Sequence, residues 1–123
     1  LHQIRDEKDL IYKKMDFSAC SNENLMKEIK KDKDIVICGI ESHVCVQQTA
    51  LELKSKGYNV FVVIDAISSR NSIDHTNCIY RLKLAGTIIS TTESIIFELC
   101  RTANRKEFKS ISKIIKRPKY QIK

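Results

Sequence analysis

No run in these 123 residues approaches the roughly 20 consecutive apolar residues that cross a bilayer, and the opening LHQIRDEKDL lacks the charged-then-apolar order of a secretory leader. The expected setting is intracellular, cytoplasmic or mitochondrial, with no membrane partner. No Cys-x-x-Cys pair joins any of Cys20, Cys38, Cys45, Cys78 and Cys100, and their number is odd. A disulfide framework and a zinc ribbon both fit poorly, so a reducing compartment is expected. The H-x-E and P-C-x-x-C signatures of zinc deaminases are absent as well. Internal repeats and low-complexity linkers are missing, and 42% hydrophobic with 30% charged content supports one core, so residues 1–123 are expected to belong to a single domain.

The net charge of +7 raises the question of nucleic acid. Neither lysine cluster alternates its cations with base-stacking aromatics. Lys27, Lys30, Lys31 and Lys33 are mixed with Glu28, Asp32 and Asp34, as on a solvated face. The terminal KIIKRPKYQIK reads as a helix end, where cations suit the helix dipole, followed by a basic tail over 117–123. No nucleic-acid partner is expected.

What is present is an α/β alternation. Residues 35–39, IVICG, and 59–64, NVFVVI, are continuous apolar runs of the kind buried on both faces of a parallel sheet. Between them ESHVCVQQTALELKSKG spaces Val44, Ala50, Leu51 and Leu53 helically and stops at Gly57. A second βαβ unit follows, with Ile73, Ile79, Tyr80, Leu82 and Leu84 as the expected apolar helix face before Gly86 and the strand TIIST. TESIIFELCR and EFKSISKIIKR read as closing helices, the last ended by Pro118. Upstream, DLIYK reads as a short strand and SNENLMKEIKK as a helix capped by Ser21 or Asn22.

In such sheets reactive groups collect where strand ends lead into helix N-termini. Cys45 lies at one of these ends, in the first turn of a helix, where free N–H groups favour a thiolate. Cys38 is mid-strand, Cys78 and Cys100 are within helices, and Cys20, just before a helix, is the nearest competitor. His43 is expected to point sideways to solvent or to a neighbouring subunit, and His75 to be structural. Asp65, with Ser69 and Arg70, is expected to anchor the following loop by capping bonds.

The run GIESHVCV, followed by QQTALEL and KGYNVFVVIDAISSR, resembles the isochorismatase-like hydrolase superfamily, whose signature is Gly-x-x-[Thr/Ser]-x-x-Cys-Val. With DAISSR, IYRLKLAGTIISTTESIIFEL and EFKSISKIIK, the resemblance is greatest to the isochorismatase domain-containing proteins and runs from about Asp9 to Lys116. It implies a Rossmann-like three-layer α/β/α fold with strand order 3-2-1-4-5-6. It also implies an Asp-Lys-Cys triad in which Cys45 is the nucleophile and Lys14 of KMDFSAC the lysine, with Lys13 as the alternative register. An oxyanion hole from the backbone N–H groups of Glu41 and Cys45, and a cis peptide between Ile40 and Glu41, belong to the same pattern.

Within the resembled family, isochorismatases proper lack the cysteine, so the resemblance implies amidase-type hydrolysis of a small carbonyl or amide substrate through a thioester; no cofactor or metal and a homo-oligomer are expected with it. The triad aspartate and strands one and two have no counterpart in this sequence. DLIYK would then be strand three without a partner and IVICG a bare apolar edge, as in the C-terminal portion of a domain. The competing reading is an inactive protein that keeps the fold for interaction or oligomerisation.

Overall fold

The computed structural model describes residues 6–116. Three parallel strands, β1 (Ile35–Ile40), β2 (Val60–Ser68) and β3 (Ile88–Ser90), form one sheet in the order β1-β2-β3. The helices are α1 (Glu23–Glu28), α2 (Gln47–Ser55), α3 (Ser72–Leu84), α4 (Thr92–Cys100) and α5 (Phe108–Ile115). Asn22, not Ser21, caps α1, its side chain accepting from the amides of Asn24 and Leu25. Gly57 (φ 85°) and Gly86 (φ 82°) end α2 and α3 in the left-handed region. Tyr58 N–H then reaches Leu53 O, and Thr87 N–H reaches Leu82 O, both at 3.1 Å, which turns each chain end back toward the sheet. Pro118 and the basic tail lie outside the described residues.

Because β1-α2-β2 and β2-α3-β3 are both parallel crossovers, α2 and α3 cover the same face of the sheet. The core on that face joins Val60, Val62 and Ile67 of β2 to Ala50 and Leu53 of α2 and to Cys78 and Leu82 of α3. The opposite face presents Val36 and Phe61 beside Ile95 and Leu99 of α4. Phe97 of α4 and Phe108 of α5 stack with tilted rings, their centroids 6.3 Å apart. The result is the expected three-layer α/β/α arrangement.

Two expectations about the elements fail. DLIYK is not a strand: residues 9–13 have no ladder partner among the described residues, and Leu10 and Ile11 are each 64% exposed. An apolar run becomes a strand only where another strand accepts its backbone, and β1 pairs here only with β2. The face of α3 is also different. Cys78 and Leu82, one turn apart, are fully buried, Ile79 is partly buried, and Ile73, Tyr80 and Leu84 form an exposed apolar stripe. β1 is the apolar edge that was expected, with Val36, Cys38 and Ile40 exposed along one face.

A register break positions the site. Ile37 pairs with Val62 and Gly39 with Ile67, so a two-residue step on β1 faces a five-residue step on β2. The bulge between Val62 and Ile67 carries Asp65 out of the ladder, and β2 runs past Asp65 to Ser68.

Candidate active site

β1 ends at Ile40 and the chain reverses at Glu41, whose backbone is left-handed (φ 58°, ψ 65°). This conformation costs a residue with a Cβ about 1 kcal/mol or more. A cis bond between Ile40 and Glu41 was expected just ahead of this turn. The Ile40–Glu41 peptide is trans, since the described residues contain no cis peptide bond. The turn Ser42–Val46 is π-helical, with Val44 N–H and Val46 N–H both donating to Glu41 O, at 3.0 and 3.4 Å, before α2 begins at Gln47. Cys45 therefore sits one turn earlier in character than a first α-helical turn, half-buried at the end of β1.

Lys14 reaches this cysteine from 31 residues away. Its Nζ lies 3.7 Å from Cys45 Sγ and donates to the carbonyls of Asp16 and Phe17 at 3.0 Å each. The two carbonyls and the sulfur are three acceptors for the three protons of a lysine ammonium, which holds the Lys14 nitrogen beside the thiol. Lys13 does not share this position; its carbonyl accepts from Asn22 Nδ2.

The segment carrying Lys14 is held on the face of α2 that continues from Cys45. Thr49 Oγ1 accepts from Ala19 N–H at 2.9 Å, and Glu52 Oε2 accepts from Ser18 Oγ at 2.6 Å. Cys45, Thr49 and Glu52 follow the i, i+4, i+7 spacing of one helical face, a signal the sequence contained and the motif reading did not use. Ser18's hydroxyl holds the Glu52 carboxyl below its ordinary range. A carboxyl lowered on folding contributes stability above its unfolded value of about 4.3 and loses it as pH falls through the lower folded value. Ser18→Ala is expected to flatten the acid side of the unfolding-midpoint profile, by below about 1 kcal/mol after solvent screening. Urea unfolding between pH 3 and 7 measures this.

The other cysteines are placed differently. Burial pushes the Cys20 thiol up, and Cys78 is pushed up to about 11 by the same cause. Cys78 Sγ instead donates to Ser42 O at 3.0 Å, while Ser42 Oγ bonds His75 Nδ1 at 3.1 Å, so α3 grips the turn from beneath. His75 thus ties α3 to the turn through Ser42.

His43 is not turned freely to solvent. Its Nδ1 is 2.9 Å from Ser69 Oγ and 3.7 Å from Glu41 Oε2, and its Nε2 is 3.8 Å from Asp74 Oδ2. Arg70 Nε meets the other Glu41 oxygen at 3.3 Å. Asp65 anchors α4 and not the loop that follows it, because Oδ1 accepts from Thr92 N–H at 2.7 Å and from Thr92 Oγ1 at 3.0 Å. Ser69 and Arg70 thus serve the cysteine turn rather than Asp65. Among the described residues no carboxylate is hydrogen-bonded to Cys45 or Lys14, so the structure brings together the cation and the thiol without an acid-base partner.

Known proteins share this arrangement of elements. Isochorismatase family protein 1B of Dictyostelium discoideum is 47% identical over 109 residues, covering 86% of this chain and 53% of that protein. The chain spans about half the length of the curated relatives it matches. The structure of MAR1 ribonuclease from Caenorhabditis elegans superposes with a TM-score of 0.74 at 34% identity, over 89% of this chain and 58% of that one. The YcaC gene product of Escherichia coli, described as an octameric hydrolase of unknown specificity, gives a TM-score of 0.68 at 30% identity, over 74% of this chain and 46% of its own. No helix among the described residues is long and apolar enough to cross a membrane. The isochorismatase domain model matches residues 2–94, which contain the Lys14 segment, the Cys45 turn and both βαβ units, and the chain belongs to the isochorismatase family.

Proposed function

We propose that this chain carries the nucleophile and cation of a cysteine hydrolase acting on a small amide or related carbonyl compound. The observation that carries the reading is the Lys14 ammonium 3.7 Å from Cys45 Sγ. In the proposed reaction the Cys45 thiolate adds to the carbonyl carbon, and the oxygen takes up the negative charge facing the N–H groups of Glu41 and Cys45. The C–N bond then breaks, the nitrogen leaves as an amine with a proton taken from solvent, which had received the thiol's own proton on ionisation, and a thioester remains. Water hydrolyses the thioester to a carboxylic acid and restores the thiol. Each such amide donor is worth on the order of 3 kcal/mol of transition-state stabilisation. No cofactor, metal, nucleic acid or membrane takes part.

The exposed stripe of Ile73, Tyr80 and Leu84 on α3, together with the octamer described for the YcaC gene product, supports a homo-oligomer. Five free cysteines support a reducing compartment, cytoplasm or mitochondrion. Residues 1–123 then act as part of one isochorismatase-like domain. The absence of a carboxylate bonded to Cys45 or Lys14 among the described residues favours a second reading, a fold kept for association without turnover.

Incubation with a panel of short-chain amides and activated esters, followed by peptide mass analysis, separates the two. The expected result is acylation confined to the Cys45 peptide, with Cys78 unmodified at pH 7 to 8. Acylation of other cysteines at equal rates, or cleavage of RNA in place of amides, would overturn the first reading.

A further inference from the structure

His43 occupies a cluster that the hydrolytic reading leaves unused. On its own turn it faces Glu41, from the loop after β2 it meets Ser69 and lies near Arg70 through Glu41, and from α3 it faces Asp74. The remaining ionisable groups at the turn are otherwise engaged, His75 with Ser42, Cys78 with the Ser42 carbonyl, and Lys14 with Cys45. Two carboxylates, Glu41 and Asp74, stand against one permanent cation, Arg70, which leaves one negative charge that a protonated His43 cancels. Glu41 Oε2 is moreover buried and lacks any hydrogen-bond donor. A buried oxygen without a donor is unfavourable, and the His43 ring nitrogen stands 3.7 Å from it.

We propose that His43 is a positioning residue: its imidazolium ties Glu41 to Asp74 and so fastens the Glu41–Val46 turn to α3, making the order of that turn depend on the protonation of one side chain. The proposal rests on Cys45 being the reactive group of that turn. Histidine is the side chain whose charge changes between about pH 5 and 8, so the turn is tighter on the acid side of that range and looser on the alkaline side. The physical link is short. Glu41 provides both the carboxylate that His43 faces and the carbonyl that accepts from Val44 and Val46 N–H. Motion of Glu41 is therefore motion of the turn that presents Cys45. The side chains of His43, Glu41 and Asp74 are 20%, 33% and 42% exposed, so added salt should weaken the tie without abolishing it.

Nuclear magnetic resonance of the 123-residue chain tests this with a readout that does not involve Cys45 chemistry. Exchange protection of the Val44 and Val46 amides, corrected for intrinsic rates, is expected to fall at least about fivefold from about pH 5 to about pH 8 in the unaltered chain, and to be independent of pH in His43→Gln. Removal of either carboxylate that the ring faces, in Asp74→Asn or in Glu41→Gln, is expected to reduce the pH dependence at least about threefold. If His43→Gln does not fold, the loss of pH dependence in these two variants carries the test. Protection equal at the two ends of that pH range in the unaltered chain, or a pH dependence that survives in all the variants, overturns the proposal. An unreactive Cys45 alongside the expected protection would instead count against the nucleophile reading alone.

Discussion

Cys45→Ser is expected to lower hydrolysis of any amide that acylates the chain by at least about a thousandfold, with thermal stability nearly unchanged. The size of the effect follows from the arrangement around the sulfur. Lys14 places positive charge against a group that ionises readily as a thiol and hardly at all as an alcohol. A hydroxyl in the same place would need a base to remove its proton, and among the described residues no carboxylate bonds Cys45 or Lys14. Steady-state hydrolysis with an amide found by acylation screening measures the ratio. Retention of more than a tenth of the activity would show that the carbonyl is attacked by something other than residue 45.

Leu82→Ala is expected to destabilise the fold by about 3 kcal/mol. Leu82 of α3 is fully buried and belongs to the core cluster that includes Val60, Val62, Leu53 and Cys78. Its carbonyl accepts both Thr87 N–H and Thr87 Oγ1, at 3.1 and 2.8 Å, so the end of α3 is rigid and cannot collapse into the space left by the shorter side chain. By contrast Leu84→Ala, on the exposed stripe two residues further on, is expected to change monomer stability by less than about 0.5 kcal/mol. Urea unfolding of the pair checks both, and equal losses would mean that the helix is rotated relative to its described position.

The two apolar runs of the sheet were legible because they are unbroken and end where a helix must begin. IVICG and NVFVVI became β1 and β2 within a few residues. α3 was legible as a helix but not as a face. Ile73, Tyr80 and Leu84 are larger than Cys78, so size alone selected the wrong stripe, while the close approach of α3 to the sheet and the Ser42 carbonyl suits the small sulfur side chain. DLIYK had strand composition and no partner, and composition cannot supply one.

The site divides in the same way. Cys45 was legible from its place at a strand end, and Lys14 only through resemblance, because nothing local marks a lysine whose partner is 31 residues away. The tie between His43 and Ser69 spans 26 residues and was not visible in the sequence. The left-handed Glu41 was hidden for a different reason: glutamate does not advertise that conformation, and only the packing of the turn beneath it keeps it there.

The central claim is that Lys14 activates Cys45, and the rate of iodoacetamide alkylation at the Cys45 peptide, followed from pH 5 to 10 in the unaltered chain and in Lys14→Met, tests it most directly. The account predicts that at about pH 7 Cys45 is alkylated at least about tenfold faster in the unaltered chain than in Lys14→Met, because the ammonium 3.7 Å from the sulfur favours its anion. Equal Cys45 rates in the two chains would contradict it.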